Sequence, residues 1–363
     1  MEREVATQAA PAYRELAASL HKAGFSALFG LMGEDIAGLV TALAERGARY
    51  VAARHETTAV SMAAGYASAT GSVALCVVGR GPGLLNALAA AASADRAGTP
   101  LLLVSGDAPP GSTPATDLKA MDQLAAAAAA GLAALRPATA TELPVALDEA
   151  LALATAGRAV LLSVPLDVLE APAELTPPAP RPRPHEPAAP DAAALDELAA
   201  RVRAARRKLL LAGAGAVRAG AAPSIEALAA RLPALLGTTL AAKDGFAGHP
   251  DDVGIVGGFS DPVARAQLED VDLVVAFGAG LNRFTTAALP DGDVVQIDAE
   301  PSRLGLLRPV VQGIHGDARL AAEGLLARLP SAPAQRPWRS ALAARDPRDR
   351  DLEGRVTLRR RAA

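Results

Sequence analysis

The strongest constraint on what this chain can fold into is an alternation. Between Pro11 and Val168, short uninterrupted apolar runs take turns with longer stretches of helical period. The runs are Phe25 to Leu31, Arg49 to Ala53, Ser72 to Val78, Pro100 to Ser105 and Ala159 to Val164. A strand wetted on one face alternates apolar and polar residues. These runs do not, so they are expected to lie buried on both faces of a parallel sheet. The stretches Tyr13 to Lys22, Glu34 to Arg46, Glu56 to Thr70, Leu84 to Ala97 and Leu143 to Ala156 predict the covering helices. Such alternation predicts a doubly wound α/β domain over residues 1–169.

The composition then breaks. Residues 170–190 contain eight prolines, a density that forbids helix or central strand and predicts an extended linker. A second alternating region over 191–330 begins with a helix from Asp191 to Arg206 and a strand from Lys208 to Ala212, followed by Gly213-Ala214-Gly215. Further strands are expected at Val271 to Ala276, Val294 to Ile297 and Val310 to Ile314, with a last helix from Ala318 to Leu329. The fold class expected is thus α/β: two doubly wound, mainly parallel-sheet, Rossmann-like domains joined by a Pro-rich linker. The Pro- and Arg-rich residues 331–363 are expected to be a disordered tail.

Bulk properties exclude several functions. A chain of 363 residues exceeds one typical core. A net charge of −3 provides no reason to expect nucleic acid or an anionic membrane as partner. The single cysteine, Cys76, excludes an internal disulfide and a cysteine-based metal cluster, and the scattered histidines show no metal-ligand spacing. The N-terminus, with Glu2, Arg3 and Glu4, lacks the apolar core of a signal peptide, and no apolar run suggests a membrane span. A cytoplasmic location is expected.

Two places in the first domain could carry chemistry. Arg54-His55-Glu56 puts a carboxylate at the mouth of a helix whose following residues are small and apolar. Taken alone, Glu56 is better explained as a charge complementing the helix N-terminus. Gly81-Pro82-Gly83 lies after a buried strand and before a helix, where ligands bind in open α/β sheets, and Asn86 follows one turn on. Glycines let backbone approach a ring and proline stiffens the turn, although an ordinary strand-to-helix turn has the same composition.

In order and spacing these motifs resemble the pyrimidine-binding domain of thiamine diphosphate (ThDP) enzymes of the acetolactate synthase type. Phe29-Gly30-Leu31-Met32-Gly33 resembles the family's opening Phe-Gly-x-Pro-Gly loop, with Met32 in place of the usual proline. Arg54-His55-Glu56, the helix end Ala64 to Gly71, Gly81-Pro82-Gly83 with Asn86, and Pro100 to Gly106 follow in family order. The resemblance implies that Glu56 is the cofactor-activating acid, hydrogen-bonded to the aminopyrimidine ring. It implies that Gly30, Met32, Gly81, Pro82, Gly83 and Asn86 line the cofactor. Residues 118–123, Leu-Lys-Ala-Met-Asp-Gln, are similar to the family's Phe-Gln-Glu-Met-Asp-Gln but differ in the first three positions, which argues against strict acetolactate synthase activity. Lys119 there is a candidate for an anionic substrate, or a solvated loop lysine.

The second region is similar to the central domain of the same enzymes. Gly213-Ala214-Gly215 could cradle FAD or ADP, a weak motif on its own. Asp298-Ala299-Glu300, after a strand, reads as a loop-closing segment. Full-length family members continue into a domain that holds the diphosphate through Mg²⁺ with a Gly-Asp-Gly. That string is absent here; Gly106-Asp107-Ala108 and Gly316-Asp317-Ala318 are the nearest. The resemblance therefore implies a subunit of a ThDP-dependent decarboxylase or carboligase acting on a small 2-oxo acid. A diphosphate-binding subunit would be its partner in a homo- or hetero-oligomer and would supply the Mg²⁺ site. Two other readings are a non-catalytic relative acting in assembly or regulation, and a nucleotide-binding module working through the second domain.

Overall fold

The computed structural model describes residues 10–173, 187–287 and 289–330. They fall into two compact units that divide near residue 185. The expected Pro-rich linker falls largely on residues 174–186, and the expected tail on 331–363; both lie outside the described residues.

The first unit is a six-stranded sheet. Its strands are β1 (Ala27–Leu31), β2 (Arg49–Ala52), β3 (Ala74–Val78), β4 (Leu101–Asp107), β5 (Ala133–Leu135) and β6 (Ala159–Pro165), in the order β2-β1-β3-β4-β6-β5. Every pairing is parallel. The continuous apolar runs became the inner strands: every residue of β3, β4 and β6 is buried. The edge strands β2 and β5 are only partly covered. Three further elements were not anticipated: the helix Gln123–Ala129, β5 itself and the short helix Leu166–Glu170. Uninterrupted alanine from 125 to 130 has no period from which to tell a helix from a strand.

Two apolar layers cover the sheet. One face takes the helices Ala12–Lys22, Ala37–Glu45 and Leu143–Thr155, whose Leu16, Leu20, Leu39, Leu43 and Leu147 are buried. The other takes the helices Glu56–Thr70 and Pro82–Arg96. These two are lined by Ala59, Ala63 and Ala67 against Ala87, Ala91 and Ala94. A buried methyl contributes little, about 0.8 kcal/mol, but small side chains let helices approach closely. That proximity brings the N-terminal ends of the two helices together.

The second unit repeats the architecture. Its strands β7 (Lys208–Ala212), β8 (Ala234–Thr238), β9 (Asp252–Ile255), β10 (Leu273–Phe277), β11 (Asp293–Asp298) and β12 (Gln312–His315) run in the order β12-β11-β10-β7-β8-β9, all parallel. Strands β8 and β9 were not anticipated: in β8 the apolar run is cut to three residues by Gly237 and is preceded by Pro233. Aspartates cap its first and last main helices, Asp191 before Ala192–Ala204 and Asp317 before Ala318–Ala327. Among the described residues no helix is long and apolar enough to cross a membrane.

Candidate cofactor site

Sheet order locates the site. The strand sequence reverses direction between β1 and β3, and in open parallel sheets the crevice beyond the carboxyl ends at such a switch point receives ligands. Met32 and Gly33 leave β1 there, Arg54-His55-Glu56 follows β2, and Gly79 to Gly83 follows β3.

His55 caps the helix Glu56–Thr70: its extended backbone turns the chain, and its Nδ1 accepts the Thr57 N–H at 3.2 Å. Arg54 and His55 face solvent, while Glu56 turns inward and is only 9% exposed. The Asn86 amide Nδ2 donates to Glu56 Oε2 at 3.0 Å. Thr57 Oγ1 donates to the Asn86 carbonyl at 2.5 Å, so the two helix ends are tied twice. The other carboxylate oxygen, Oε1, faces Gly83, where a Cβ would sit 3.2 Å away. Beneath it lies Cys76 in β3; burial, with a further contribution from the Glu56 charge, raises that thiol far above its ordinary range, so it is an inert packing residue.

The turn that faces Glu56 requires glycine at its first position. Gly81 has φ 62°, and a Cβ there would lie 2.3 Å from the Lys119 carbonyl oxygen. Pro82 opens the next helix at its first turn, where the missing N–H costs nothing. Gly81 N–H donates to Gln123 Oε1 at 2.7 Å. The Gln123 amide in turn donates to the Gly106 carbonyl at 2.9 Å and to Ser163 Oγ at 2.8 Å, and Ser163 donates to Asp107 Oδ2 at 2.8 Å. This buried network pins the turn to the ends of β4 and β6. Burial pushes the Asp107 carboxyl above its ordinary range, while the Ser163 hydroxyl, the Arg136 charge 3.2 Å away and the Ala108 N–H pull it back.

The structure brings Glu56, Gly81, Pro82, Gly83 and Asn86 together. Met32 stands just past β1 and is 47% exposed. Gly30 lies inside β1, where a Cβ would meet the Val77 carbonyl oxygen of β3 at 2.3 Å, so its smallness serves strand spacing. Lys119 packs its backbone on Gly81 and pairs its ammonium with Glu34 at 3.0 Å. Two residues in the same place escaped sequence reasoning. Within its motif Gln123 carries no signal that sets it apart, whereas Arg80, inside Gly-Arg-Gly-Pro-Gly, is legible as an arginine in a strand-to-helix turn.

In the second unit Gly213 and Gly215 follow β7, but a Cβ on Gly213 would be 2.2 Å from the Gly278 carbonyl oxygen, and one on Gly215 2.8 Å from the Gly278 Cα. Close passage of two backbones accounts for both glycines. Asp298 Oδ1 accepts the Glu300 N–H at 3.0 Å, and Glu300 accepts the Ser302 N–H at 3.3 Å, closing the loop after β11. Among the described residues no group of three or more His, Cys, Asp or Glu is arranged to hold a metal ion.

An open parallel sheet with a buried glutamate and a glycine turn at its switch point defines an α/β protein of the doubly wound class with a candidate ligand site. Comparison with known proteins identifies the family. Residues 12–134 match the N-terminal TPP binding domain of thiamine pyrophosphate enzymes, and residues 195–325 match the central domain of the same enzymes. The chain belongs to the thiamine pyrophosphate enzyme family, of which it carries these two domains.

Among its relatives is the sulfoacetaldehyde acetyltransferase of Rhodobacter capsulatus, 32% identical over 85% of this chain and 54% of that protein. A probable 2-ketoarginine decarboxylase of Pseudomonas aeruginosa is 35% identical over 85% and 56%. An acetolactate synthase of Mycobacterium bovis is 29% identical over 86% and 52%. A solved structure from Mycobacterium smegmatis, described as a thiamin diphosphate-dependent enzyme, superposes with a TM-score of 0.76 at 28% identity, covering 89% of this chain and 64% of that one. The chain spans about half the length of the curated relatives it matches.

Proposed function

We propose that this chain supplies the pyrimidine side of a ThDP site in a decarboxylase or carboligase acting on a small 2-oxo acid, with Glu56 as the activating acid. The observation that carries this reading is the Glu56 carboxylate: buried at a helix mouth, held through Oε2 by Asn86, and with Oε1 facing the space that Gly83 leaves open. These residues fit the aminopyrimidine end of the cofactor, because a side chain in place of Gly83 would fill the space in front of the carboxylate. Bound there, ThDP supplies the carbanion and electron sink for breaking or making a carbon–carbon bond beside a carbonyl.

The protein's own groups do the rest. Glu56 holds a proton against a ring nitrogen, Asn86 fixes the carboxylate's orientation, and the Gln123-pinned Gly81-Pro82-Gly83 turn supports the ring from backbone. We assign the diphosphate end and its Mg²⁺ to a diphosphate-binding domain other than the two matched here.

The test combines the purified chain with a diphosphate-binding-domain protein and follows ThDP binding and 2-oxo acid turnover. The complex is expected to turn over, and Glu56→Gln to lower kcat by at least about a hundredfold, the scale of losing one positioned proton-transfer group. Turnover unchanged by Glu56→Gln would remove the assigned role. Tight ThDP–Mg²⁺ binding by the isolated chain would remove the need for a partner.

A further inference from the structure

An ionic quartet borders the Gly-Pro-Gly turn. Arg80 is 9% exposed, and its Nη2 lies 3.2 Å from Asp117 Oδ2 and 3.8 Å from Glu34 Oε1. Its Nε and Nη1 are buried without a hydrogen-bond partner among the described residues. A guanidinium carries five N–H donors, so much of its capacity goes unused although Asp117 already pairs with its charge. Lys119 Nζ lies 3.0 Å from the same Glu34 oxygen.

Glu34 is thus a carboxylate suspended between two cations, and its side chain is 73% exposed. Lys119 and Arg80 together hold its carboxyl below the ordinary carboxylate range. Two further carboxylates stand beside the cations: Asp117 faces Arg80 and accepts the Lys119 N–H at 2.9 Å, and Asp35 Oδ2 accepts the backbone N–H of Arg80 at 2.7 Å while its Oδ1 is buried without a partner among the described residues. If Glu34 swings out, Asp117 still faces Arg80, and a monoanion that takes the place of Glu34 beside Lys119 leaves the local charge as it was.

We propose that Lys119 and Arg80 form a monoanion-binding subsite for the charged end of the substrate, and that Glu34 is its displaceable resident occupant. This rests on the cofactor reading above and refines it by naming what the substrate presents, a carboxylate or sulfonate group. Lys119 is the accessible arm and Arg80 the fixed one. Glu34 competes with the ligand, so the subsite opens only when an anion outbids an intramolecular carboxylate.

Competition makes the test two-signed. The chain has only four lysines, Lys22, Lys119, Lys208 and Lys243, so the ¹⁵N,¹³C signal of Lys119 can be followed individually and assigned with Lys119→Met. Wild-type protein, Glu34→Gln, Arg80→Gln and Lys119→Met are titrated with pyruvate, methanesulfonate and inorganic pyrophosphate. Saturable binding of pyruvate or methanesulfonate is expected. It should be about tenfold tighter in Glu34→Gln, where the competitor has lost its charge, and about tenfold or more weaker in Lys119→Met. The tighter of the two probes identifies the anion type.

Glu34 is exposed, so its substitution tests the proposal even if Arg80→Gln fails to fold. Equal affinity in wild type and Glu34→Gln, no saturable binding, or binding of pyrophosphate alone would each overturn the proposal. The last result would assign the cations to the cofactor's diphosphate. The titration is made without ThDP, so failure of the subsite and failure of the cofactor reading, which the Glu56→Gln turnover measurement tests, are seen separately.

Discussion

Gln123 is the residue on which the geometry of the turn most depends, and Gln123→Met isolates its hydrogen bonds from its bulk. Its side chain is 1% exposed and makes three bonds: from Gly81 N–H, to the Gly106 carbonyl and to Ser163 Oγ. Methionine fills a similar volume with no strong donor or acceptor. The Gly81 N–H would then be stranded, at about 1–3 kcal/mol. The Gly106 carbonyl keeps the Ser105 hydroxyl at 2.9 Å, so its loss is small. Ser163 still donates to Asp107 but loses an incoming bond, about 0.5–1.5 kcal/mol. The expected destabilisation of the first unit is therefore about 2–4 kcal/mol, a large part of the ~5–15 kcal/mol that holds a typical domain.

Amide hydrogen exchange reads this locally. Gly81 should exchange about 30-fold faster or more, at a factor of ten per ~1.4 kcal/mol. Urea unfolding, followed by exchange in peptides from residues 12–168, should show the same loss. Gln123→Glu sharpens the comparison: it keeps the acceptor for Gly81 but loses both donors and adds a carboxylate to a network already holding Asp107. It should be worse than methionine at neutral pH and recover as acid restores an O–H donor. If Gln123→Met stays within ~0.5 kcal/mol of wild type with Gly81 protection unchanged, the network does not hold the turn.

The other expectations concern the same region. Gly81→Ala should destabilise the first unit by about 1–3 kcal/mol or more, because φ 62° strains an L-residue and the Cβ would meet the Lys119 carbonyl oxygen at 2.3 Å; an unchanged urea midpoint would contradict it. For Asp107, the folded carboxyl binds its proton more tightly than the unfolded one, whose ordinary value is 3.8. Its contribution to stability is full below that value and is lost as pH rises through the higher folded one. The stability of wild type relative to Asp107→Asn should therefore fall across that acidic window, and urea midpoints at a series of pH values that show a flat or rising difference would refute the assignment.

How much of this was legible beforehand follows from distance along the chain. The inner strands β3, β4, β6, β7 and β10 were readable because burial on both faces writes itself as a continuous apolar run. Glu56 and Gly81-Pro82-Gly83 stood out because a strand-to-helix turn is local, and its glycine and proline requirements are met by adjacent residues. Strands β5, β8 and β9 lacked any such signal, being short segments whose pairing partner, rather than their period, makes them strands.

Local sequence thus specified the class of fold, the family resemblance and, as separate motifs, Glu56 and the Gly81-Pro82-Gly83 turn. Tertiary structure alone decided what that turn leans on. Gln123 reaches Gly81 across 42 residues, Arg80 meets Asp117 across 37, and Lys119 meets Glu34 across 85. Contacts at such separations depend on strand order, which no local period encodes. Sheet order placed the ends of β1, β3 and β4 beside one another. It gathered at one rim the charges and amides that surround the Glu56 site.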